Sequence, residues 1–403
     1  MGKSEYIKKV ETLSTKYEET VKEWRRWFHE HPELSFEEFK TSDFIAEKLS
    51  EIGCEVERNI GGTGVLGVLN TNRPGPVIAF RADMDALPIF ENTGLPFSSN
   101  NPGVMHACGH DAHMAILLGL AKLLAECADD LSGVIKFIFQ PGEEANGGAR
   151  CVIDAKVLEN PEVDAIFALH MVPELPSKMI GIRSGFMTAT DDEVIIRIKG
   201  MSTHSSTPHE GVNAALIAAY IITAIQSILT TQISPYEIAT FSICTIKSGE
   251  AQNVIPDYAE MTGVLRCVNK DSKLVFREHI QKICAGAAVA FGGKAEAEFT
   301  EGFPAVNNDE KYTETLRESA KDFLDPSDII EIQRPHMGSE DFSYYQEQIP
   351  GVIFMLGSKV ENGDSGTLHS PKFTVCENSL IVGMKVFASV AYNICGSNFC
   401  REK

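Results

Sequence analysis

The segment Met105–His113 has the highest density of side chains that could do chemistry. Its sequence, MHACGHDAH, places one thiol, three imidazoles and one carboxylate directly before a helical pattern that begins at Met114. Cys108 and His110 are separated by a single glycine, so both side chains can converge on one cation. The segment therefore predicts a metal site. Considered alone, it also fits a histidine-rich loop around a buried cysteine.

Further candidate ligands follow the strands that are predicted elsewhere in the chain. Glu143 and Glu144 are adjacent acids at the end of an apolar strand, and a buried pair of this kind needs a cation or a proton. His170 ends the next predicted strand, and His369 lies in a late loop. Residues 81–85, RADMD, are another strand that ends in two acids. Because α/β sheets build their sites at the carboxyl ends of strands, we expect these side chains to meet.

The candidate residues lie within two different patterns of helices and strands. Up to Gly185, apolar strands alternate with helices, which predicts an α/β domain with a mixed sheet flanked by helices. After Gly185 the order is βαββαβ, the split-βαβ pattern of a self-contained, ferredoxin-like α+β domain. We therefore predict a catalytic domain formed by residues 1–187 and 303–403, interrupted by an inserted domain at residues 188–302.

Composition and charge narrow the classes of function. The 403 residues include 36 Lys and Arg against 56 Asp and Glu, a net charge of −20. A chain this acidic repels phosphate and anionic lipid, which predicts no nucleic-acid partner and no membrane partner. The longest apolar run, Ala214–Ile225, is shorter than the about 20 residues that span a bilayer and predicts a buried helix. The first ten residues lack an apolar core of the signal-peptide type, and ten cysteines without a CxxC pair indicate reduced thiols. We expect a soluble, cytoplasmic protein.

Two other patterns resemble sites but have simpler explanations. Gly62–Gly67 has the spacing of a dinucleotide-binding fingerprint, but a helix precedes it and a strand follows, the reverse of what that fingerprint requires. This segment predicts a glycine-rich turn. His29 and His31 lie two positions apart at a helix end and face different sides, which favours a structural or orienting role over a metal pair.

The motifs occur in an order that resembles one family. They are RADMDALP, ACGHDAH, FQPGEE, the strand-end His170, GMSTHSSTPHEGVNA, NVIPD, GSEDF and LHSP. From about Trp24 to its end, the chain resembles the metal-dependent amidohydrolases of the aminoacylase/carboxypeptidase metallopeptidase family, in the branch of hippurate hydrolases and indole-acetyl-amino-acid hydrolases. Asp83 stands where the wider family has the histidine of a His-x-Asp motif, and Cys108 and His110 follow the pattern of the branch.

The resemblance implies a site for two divalent metal ions per subunit. Thiolate and imidazole ligands favour Zn²⁺, and the oxygen ligands also suit Mn²⁺, Co²⁺ or Ni²⁺. Glu143 would be the general base that takes a proton from water and delivers it to the leaving nitrogen, and Asp85 would orient a ligand. The implied ligands are Cys108, His110, Glu144, His170 and His369.

The resemblance also implies that the inserted domain is a lid and dimerisation domain. His204 would stabilise the tetrahedral oxyanion by reaching across a homodimer, or a dimer-based oligomer, into the partner's site. Asn253 and Arg266 would bind the carboxylate of the substrate, because a planar guanidinium suits a bidentate carboxylate. For Arg266, a surface salt bridge is the alternative.

The predicted activity is hydrolysis of the amide bond of N-acyl-L-amino acids of the N-acetyl or N-benzoyl type. A dipeptidase or carboxypeptidase with the same dinuclear site is the first alternative. A non-catalytic metal-binding or peptide-binding protein is the second. It is disfavoured because a binding module does not need a base, Glu143, beside the ligand Glu144.

Overall fold

The chain forms two units, whose main boundaries lie two and four residues from the predicted ones and which differ from the predicted domains in one further segment. The computed structural model describes residues 2–145, 147–361 and 363–396. Unit 1 contains the chain up to Gly185, Asn307–Gln333 and the chain from Asp341 onward, and unit 2 contains Phe186–Val306 and Arg334–Glu340.

The segment Arg334–Glu340 belongs to unit 2, although the sequence prediction assigned it to the last part of the catalytic domain. Its backbone explains the difference, because His336 N donates to Met187 O over 2.9 Å. Arg266 Nη1 donates to Met337 O, also over 2.9 Å. These contacts join residues that are remote in sequence. A local sequence pattern within the segment therefore cannot predict them.

The helices and strands of the described residues follow in chain order. The helices are α1 (Lys3–Glu30), α2 (Phe39–Ile52), α3 (His110–Glu126), α4 (Gly148–Asp154), α5 (Ala214–Thr231), α6 (Lys270–Ala290), α7 (Glu310–Ala320), α8 (Ser343–Gln346) and α9 (Asn378–Cys395). The strands are β1 (Glu55–Ile60), β2 (Gly64–Asn70), β3 (Val77–Asp83), β4 (Val134–Gln140), β5 (Ala165–Pro176), β6 (Ile180–Ile182), β7 (Gly185–Phe186), β8 (Asp192–Lys199), β9 (Thr203–His204), β10 (Ala239–Ser248), β11 (Val254–Ile255), β12 (Tyr258–Cys267), β13 (Lys294–Thr300), β14 (Asn307–Asn308), β15 (Ile329–Glu331) and β16 (Gly351–Lys359).

Unit 1 contains a mixed sheet with the strand order β1-β2-β4-β3-β5-β16-β6-β15. Its centre is parallel, since β3 pairs in parallel with β4 and β5, and β5 pairs in parallel with β16. All seven residues of β3 are buried, as expected for a parallel strand that is covered on both faces. Residues of α1, α3 and α9 share one apolar core with these strands. The predicted α/β architecture is confirmed.

The register of the central strands places the predicted site residues at one edge of the sheet. Asp83 lies opposite Gln140 in β4, which leads directly into the turn with the two glutamates. Arg81 lies opposite Ala168 in β5, so Asp83 is level with His170 two positions further on. The carboxyl ends of β3 and β4 therefore meet beside His170, as parallel pairing requires. The prediction that His170 ends its strand is wrong, because β5 continues to Pro176.

Helix α3 begins at His110, four residues earlier than the sequence pattern indicated. Gly109 precedes it with a backbone φ of +89°, a conformation that glycine adopts without steric cost. Every residue from His110 to Ala121 is buried, so the first turn of the helix lies inside the unit. His110 and His113 consequently lie on this rigid helix and not in a loop.

Unit 2 contains an antiparallel sheet with the order β10-β12-β8-β13. Apolar residues of these strands and of α5 and α6 form its core, as the βαββαβ pattern predicts. Helix α5 is buried on one face only, because Leu216 is 44% exposed and Tyr220 is 55% exposed. The predicted burial of this helix is therefore confirmed for one face and wrong for the other. By length and apolarity alone, α5 and α9 could each span a membrane, but core helices share these properties, and the apolar window of α9 is 72% buried.

Candidate metal centre

The five predicted metal ligands lie together at the carboxyl edge of the central sheet. Ligand atoms of Cys108, His110 and His170 lie within 4.8 Å of one another, and so do those of Cys108, Glu144 and His369. Cys108 belongs to both groups and thus links them. A third group joins His110 to the adjacent acids of the Gln140–Glu144 turn. The thiol, three imidazoles and a carboxylate therefore converge, as expected for side chains at strand ends and in neighbouring loops.

Hydrogen bonds determine which ring nitrogen each histidine directs at the cluster. His110 Nδ1 donates to the backbone oxygen of Asp85 over 2.9 Å, and His170 Nδ1 donates to Met171 O over 2.9 Å. Because a carbonyl oxygen only accepts, the neutral form of each ring carries its proton on Nδ1 and leaves Nε2 unprotonated, as a metal ligand must be. His170 Nε2 lies 3.5 Å from Cys108 Sγ.

The loop of His369 is attached directly to the cluster. His369 N donates to Ala107 O over 2.8 Å, next to Cys108 in the chain. The backbone φ of His369 is +60°, a left-handed conformation that is uncommon for residues other than glycine. In this conformation, Nε2 of the ring lies 3.2 Å from Glu144 Oε1. The hydrogen bond to Glu144 raises the pKa of His369.

The buried polar atoms of the cluster fit a divalent cation. His110 Nε2 is buried and makes no hydrogen bond within the described structure. Burial raises the pKa of the Cys108 thiol to about 12 and lowers the pKa of His170 to about 3. A neutral imidazole is ready to bind a metal, and a nearby cation stabilises the thiolate that burial disfavours. Thiolate, imidazole and carboxylate are also the donors that suit Zn²⁺ and related metals.

Asp85 supports two of the candidate ligands. Its Oδ2 accepts from Glu144 N over 2.9 Å and from the hydroxyl of Ser35 over 2.6 Å. Its Oδ1 lies 3.4 Å from His110 Nδ1, which also donates to the Asp85 backbone oxygen. The histidine that Asp85 contacts is therefore His110, which is 25 positions later in the sequence.

Asp83 and His113 are hydrogen-bonded to each other, an arrangement that the sequence did not predict. His113 Nδ1 donates to Asp83 Oδ1 over 2.6 Å, and His113 Nε2 accepts from Met171 N over 2.9 Å. The two ring nitrogens of His113 thus join the end of β3 to β5. Arg81 Nη1 lies 2.7 Å from Asp83 Oδ2, and Arg81 Nη2 lies 2.7 Å from Asp341 Oδ1. In the sequence, this arrangement is indicated only by Arg81, which stands two positions before the strand-end acid Asp83.

A buried ion-pair network ties α1 to the first turn of α3. His29 Nδ1 lies 2.7 Å from Asp111 Oδ2, and Arg25 Nε lies 2.9 Å from the same oxygen. The other nitrogen, His29 Nε2, lies 3.2 Å from Glu91 Oε1. Burial raises the pKa of Glu91, but hydrogen bonds from His29, Ser99 N and Thr93 outweigh it and lower the pKa to about 2. His29 thus holds the helix of His110 through its neighbour Asp111.

The remaining predicted residues belong to unit 2. His204 pairs with Val254 across β9 and β11, and its Nδ1 accepts from Ser206 N over 3.1 Å. The proton of a neutral His204 ring is therefore on Nε2. Asn253 precedes β11, and its backbone oxygen accepts from Ser205 N over 2.9 Å. Arg266 on β12 donates from Nη1 to the Met337 backbone oxygen over 2.9 Å.

A cleft of about 470 Å³ opens in unit 1 between the part of β5 that follows His170 and the loop of His369. Its walls include Pro173 and Glu174, which follow His170 on β5, and Thr367 and Ser370, which flank His369. Volumes of about 300–1,000 Å³ are typical of pockets for small molecules. The cleft has a volume in this range, but none of the five candidate ligands lines it.

Comparison with known proteins identifies the family. Residues 79–393 match the family model of Peptidase family M20/M25/M40. The chain is 40% identical over 368 residues to an N-acetylcysteine deacetylase of Bacillus subtilis, covering 91% of this chain and 94% of the relative. It is 38% identical over 390 residues to thermostable carboxypeptidase 1 of Saccharolobus solfataricus, covering 96% and 98%. The crystal structure of a Bacillus subtilis protein, a dinuclear metal binding peptidase from the M20 family, aligns with a TM-score of 0.82 at 36% identity and covers 94% and 98% of the two chains. The family resemblance of the motifs is confirmed, and the chain belongs to the M20/M25/M40 peptidase family of hydrolases.

Proposed function

We propose that the protein hydrolyses the amide bond of N-acyl-L-amino acids of the N-acetyl or N-benzoyl type. The observation that carries this proposal is the position of Glu143, a carboxylate that is 8% exposed and lies next to the candidate ligand Glu144. Its oxygen lies within 4.8 Å of ligand atoms of His110 and Glu144. A general base beside the ligands is what amide hydrolysis needs.

Each side chain of the cluster has a proposed role. Two divalent metal ions, when bound, would polarise the amide carbonyl and lower the pKa of the attacking water. Glu143 accepts the proton of that water and delivers it to the leaving nitrogen. Asp85 keeps His110 and Glu144 in place. The residues that hold the metal ions are Cys108, His110, Glu144, His170 and His369.

The proposed roles of unit 2 concern the substrate. His204 Nε2–H, left free by the hydrogen bond to Nδ1, is a donor for the oxyanion, and we propose that it acts in the partner's site of a homodimer or dimer-based oligomer. Asn253 and Arg266 bind the carboxylate of the substrate. Zn²⁺ is our first choice of metal, ahead of Mn²⁺, Co²⁺ and Ni²⁺. The cytoplasmic location stays a prediction from the sequence.

The similarity to an N-acetylcysteine deacetylase supports acyl-amino acids as the substrate class. The similarity to a thermostable carboxypeptidase supports the second candidate, a carboxypeptidase or dipeptidase with the same residues. A non-catalytic binding protein is set aside because the chain belongs to a family of hydrolases.

A panel of substrates tests the proposal. The purified protein, with its metal content determined by elemental analysis, is given N-acetyl, N-benzoyl and indole-acetyl amino acids and, in parallel, dipeptides with a free amino group. We expect the acylated amino acids to have the higher kcat/KM, and Glu143→Gln to abolish their cleavage. Faster cleavage of the free dipeptides would establish the second candidate instead.

A further inference from the structure

The turn Gln140–Glu144, which carries the proposed base, is held by a segment from a distant part of the chain. The segment Ser35–Glu38 precedes α2 and contacts the turn through the side chains of Phe36 and Glu38. The Glu38 Oε1 atom accepts a hydrogen bond from Gly142 N over 2.9 Å. Gly142 is thus bound one position before Glu143.

The contact between Phe36 and Gly142 is close enough to exclude any side chain at Gly142. A Cβ atom added to Gly142 would lie 2.5 Å from Cζ of the Phe36 ring. The φ of Gly142 is +63°, and Phe36 also has a left-handed backbone with a φ of +63°. This conformation is unfavourable for a bulky residue and persists only where the surrounding structure enforces it.

The Glu38 carboxylate is fully buried, with a relative exposure of 0%. One oxygen accepts from Gly142 N, and the other accepts from the hydroxyl of Thr63. Burying a carboxylate is unfavourable unless hydrogen bonds compensate for lost hydration, and here both bonds serve to join separate segments. Neither the metal ligands nor the predicted substrate residues include Glu38.

We propose that Glu38 is a positioning residue that holds the turn Gln140–Glu144, the catalytic turn, through Gly142 N–H. It thereby sets the direction in which the Glu143 side chain points. This inference rests on the proposed function of Glu143. Glu144 follows on the same turn, and its backbone N–H is bound by Asp85. The turn is therefore held by two carboxylates, one before Glu143 and one after it.

The variants Glu38→Ala, Glu38→Asp and Glu38→Gln separate this role from a general contribution to stability. Ala and Asp withdraw the acceptor from Gly142 N, so we expect kcat to fall about 10–100-fold with little change in KM. We expect the affinity for Co²⁺, titrated by its absorption with the Cys108 thiolate, to weaken about 10-fold, because Glu144 moves with the turn. Gln keeps an oxygen acceptor of the same reach and should restore both values.

Glu33→Ala is the matched control. Glu33 lies in the same region, and its carboxylate accepts from Lys40 N and Thr41 N at the start of α2 and not from the turn. We expect it to lower the thermal midpoint without changing kcat or Co²⁺ affinity of the folded protein.

Wild-type kcat and Co²⁺ affinity in folded Glu38→Ala or Glu38→Asp would overturn the proposal, and so would a Glu38→Gln variant as impaired as Glu38→Ala. If no amide of the panel is cleaved by the wild-type enzyme, the proposed function fails, whereas the Co²⁺ titration needs no substrate and still decides on Glu38. Should Glu38→Ala not fold, the shorter carboxylate of Glu38→Asp provides the same comparison.

Discussion

Replacing Asp85 by asparagine should weaken metal binding without disturbing the fold. The Asp85 carboxylate is buried, with 1% relative exposure, and accepts hydrogen bonds from Glu144 N and the Ser35 hydroxyl. Its other oxygen faces His110 Nδ1 at 3.4 Å. Asparagine has nearly the same shape but carries a donor in place of one acceptor. That donor must face either Glu144 N–H or His110 Nδ1–H, both of which are donors themselves.

The magnitude follows from the hydrogen bond that is lost. A hydrogen bond to a charged group contributes about 1.5–3 kcal/mol. Since about 1.4 kcal/mol corresponds to a tenfold change in a binding constant, we expect the metal Kd of Asp85→Asn to rise about 10–100-fold. Other residues that orient metal ligands have effects of about this size.

The assay is competition for Zn²⁺ or Co²⁺ against a chromogenic chelator at fixed pH and salt, with no substrate present. Asp130→Asn is the control, because Asp130 is a largely buried carboxylate whose Oδ2 lies 2.9 Å from Lys9 Nζ and which is not part of the cluster. A Kd within about twofold of wild type for Asp85→Asn would refute the reasoning.

Four further predictions concern single side chains. Glu143→Ala should retain metal and fold but lower kcat by a factor of about 10²–10⁴, the usual contribution of a general base. If steady-state kinetics find wild-type activity in this variant, Glu143 is not the general base. Cys108→Ala should lower the metal content, since alanine supplies no ligand in place of the thiolate. If elemental analysis finds full metal occupancy in this variant, Cys108 is a buried thiol and not a ligand. Mixing inactive His204→Ala with inactive Glu143→Ala under subunit exchange should restore about half of wild-type activity per hybrid dimer, which has one intact site; no recovery despite proven exchange would contradict action in the partner's site. Glu91 has a pKa of about 2 against an ordinary value of 4.5, so its ionised form stabilises the fold above pH 4.5 and this contribution is lost as the pH falls towards 2. Glu91→Gln should therefore lower the free energy of unfolding by about 1–2 kcal/mol at pH 6, with a difference that shrinks below pH 4.5. Urea titrations that find a difference independent of pH would contradict this assignment.

The sequence alone was enough to predict the architecture and the types of ligand. Strands with continuous apolar runs, such as β3, are typical of a parallel sheet that is buried on both faces, and the carboxyl ends of such strands meet at one edge. The strand pattern therefore predicts that Cys108, Glu144 and His170 lie near one another. The βαββαβ pattern likewise predicts unit 2, because its periodicity is local.

The tertiary structure decided the role of each side chain within that set. His110 and His113 are both in the first turn of α3, yet only His110 keeps a ring nitrogen free, since His113 is bound on both sides by Asp83 and Met171 N. No spacing in the sequence distinguishes the two histidines. Their difference depends on strands β3 and β5, which reach the helix only after the sheet has formed.

The same reason explains why the sequence did not reveal the contact between Glu38 and the catalytic turn, or the place of Arg334–Glu340 in unit 2. Local patterns depend on residues within a few positions of each other, because they record the period of a helix or strand. Hydrogen bonds such as that from Gly142 N to Glu38 join residues 104 positions apart. The sequence therefore determined which chemical groups reach the edge of the sheet, and only the packing of distant segments decided which nitrogen or oxygen of each group remains free to act.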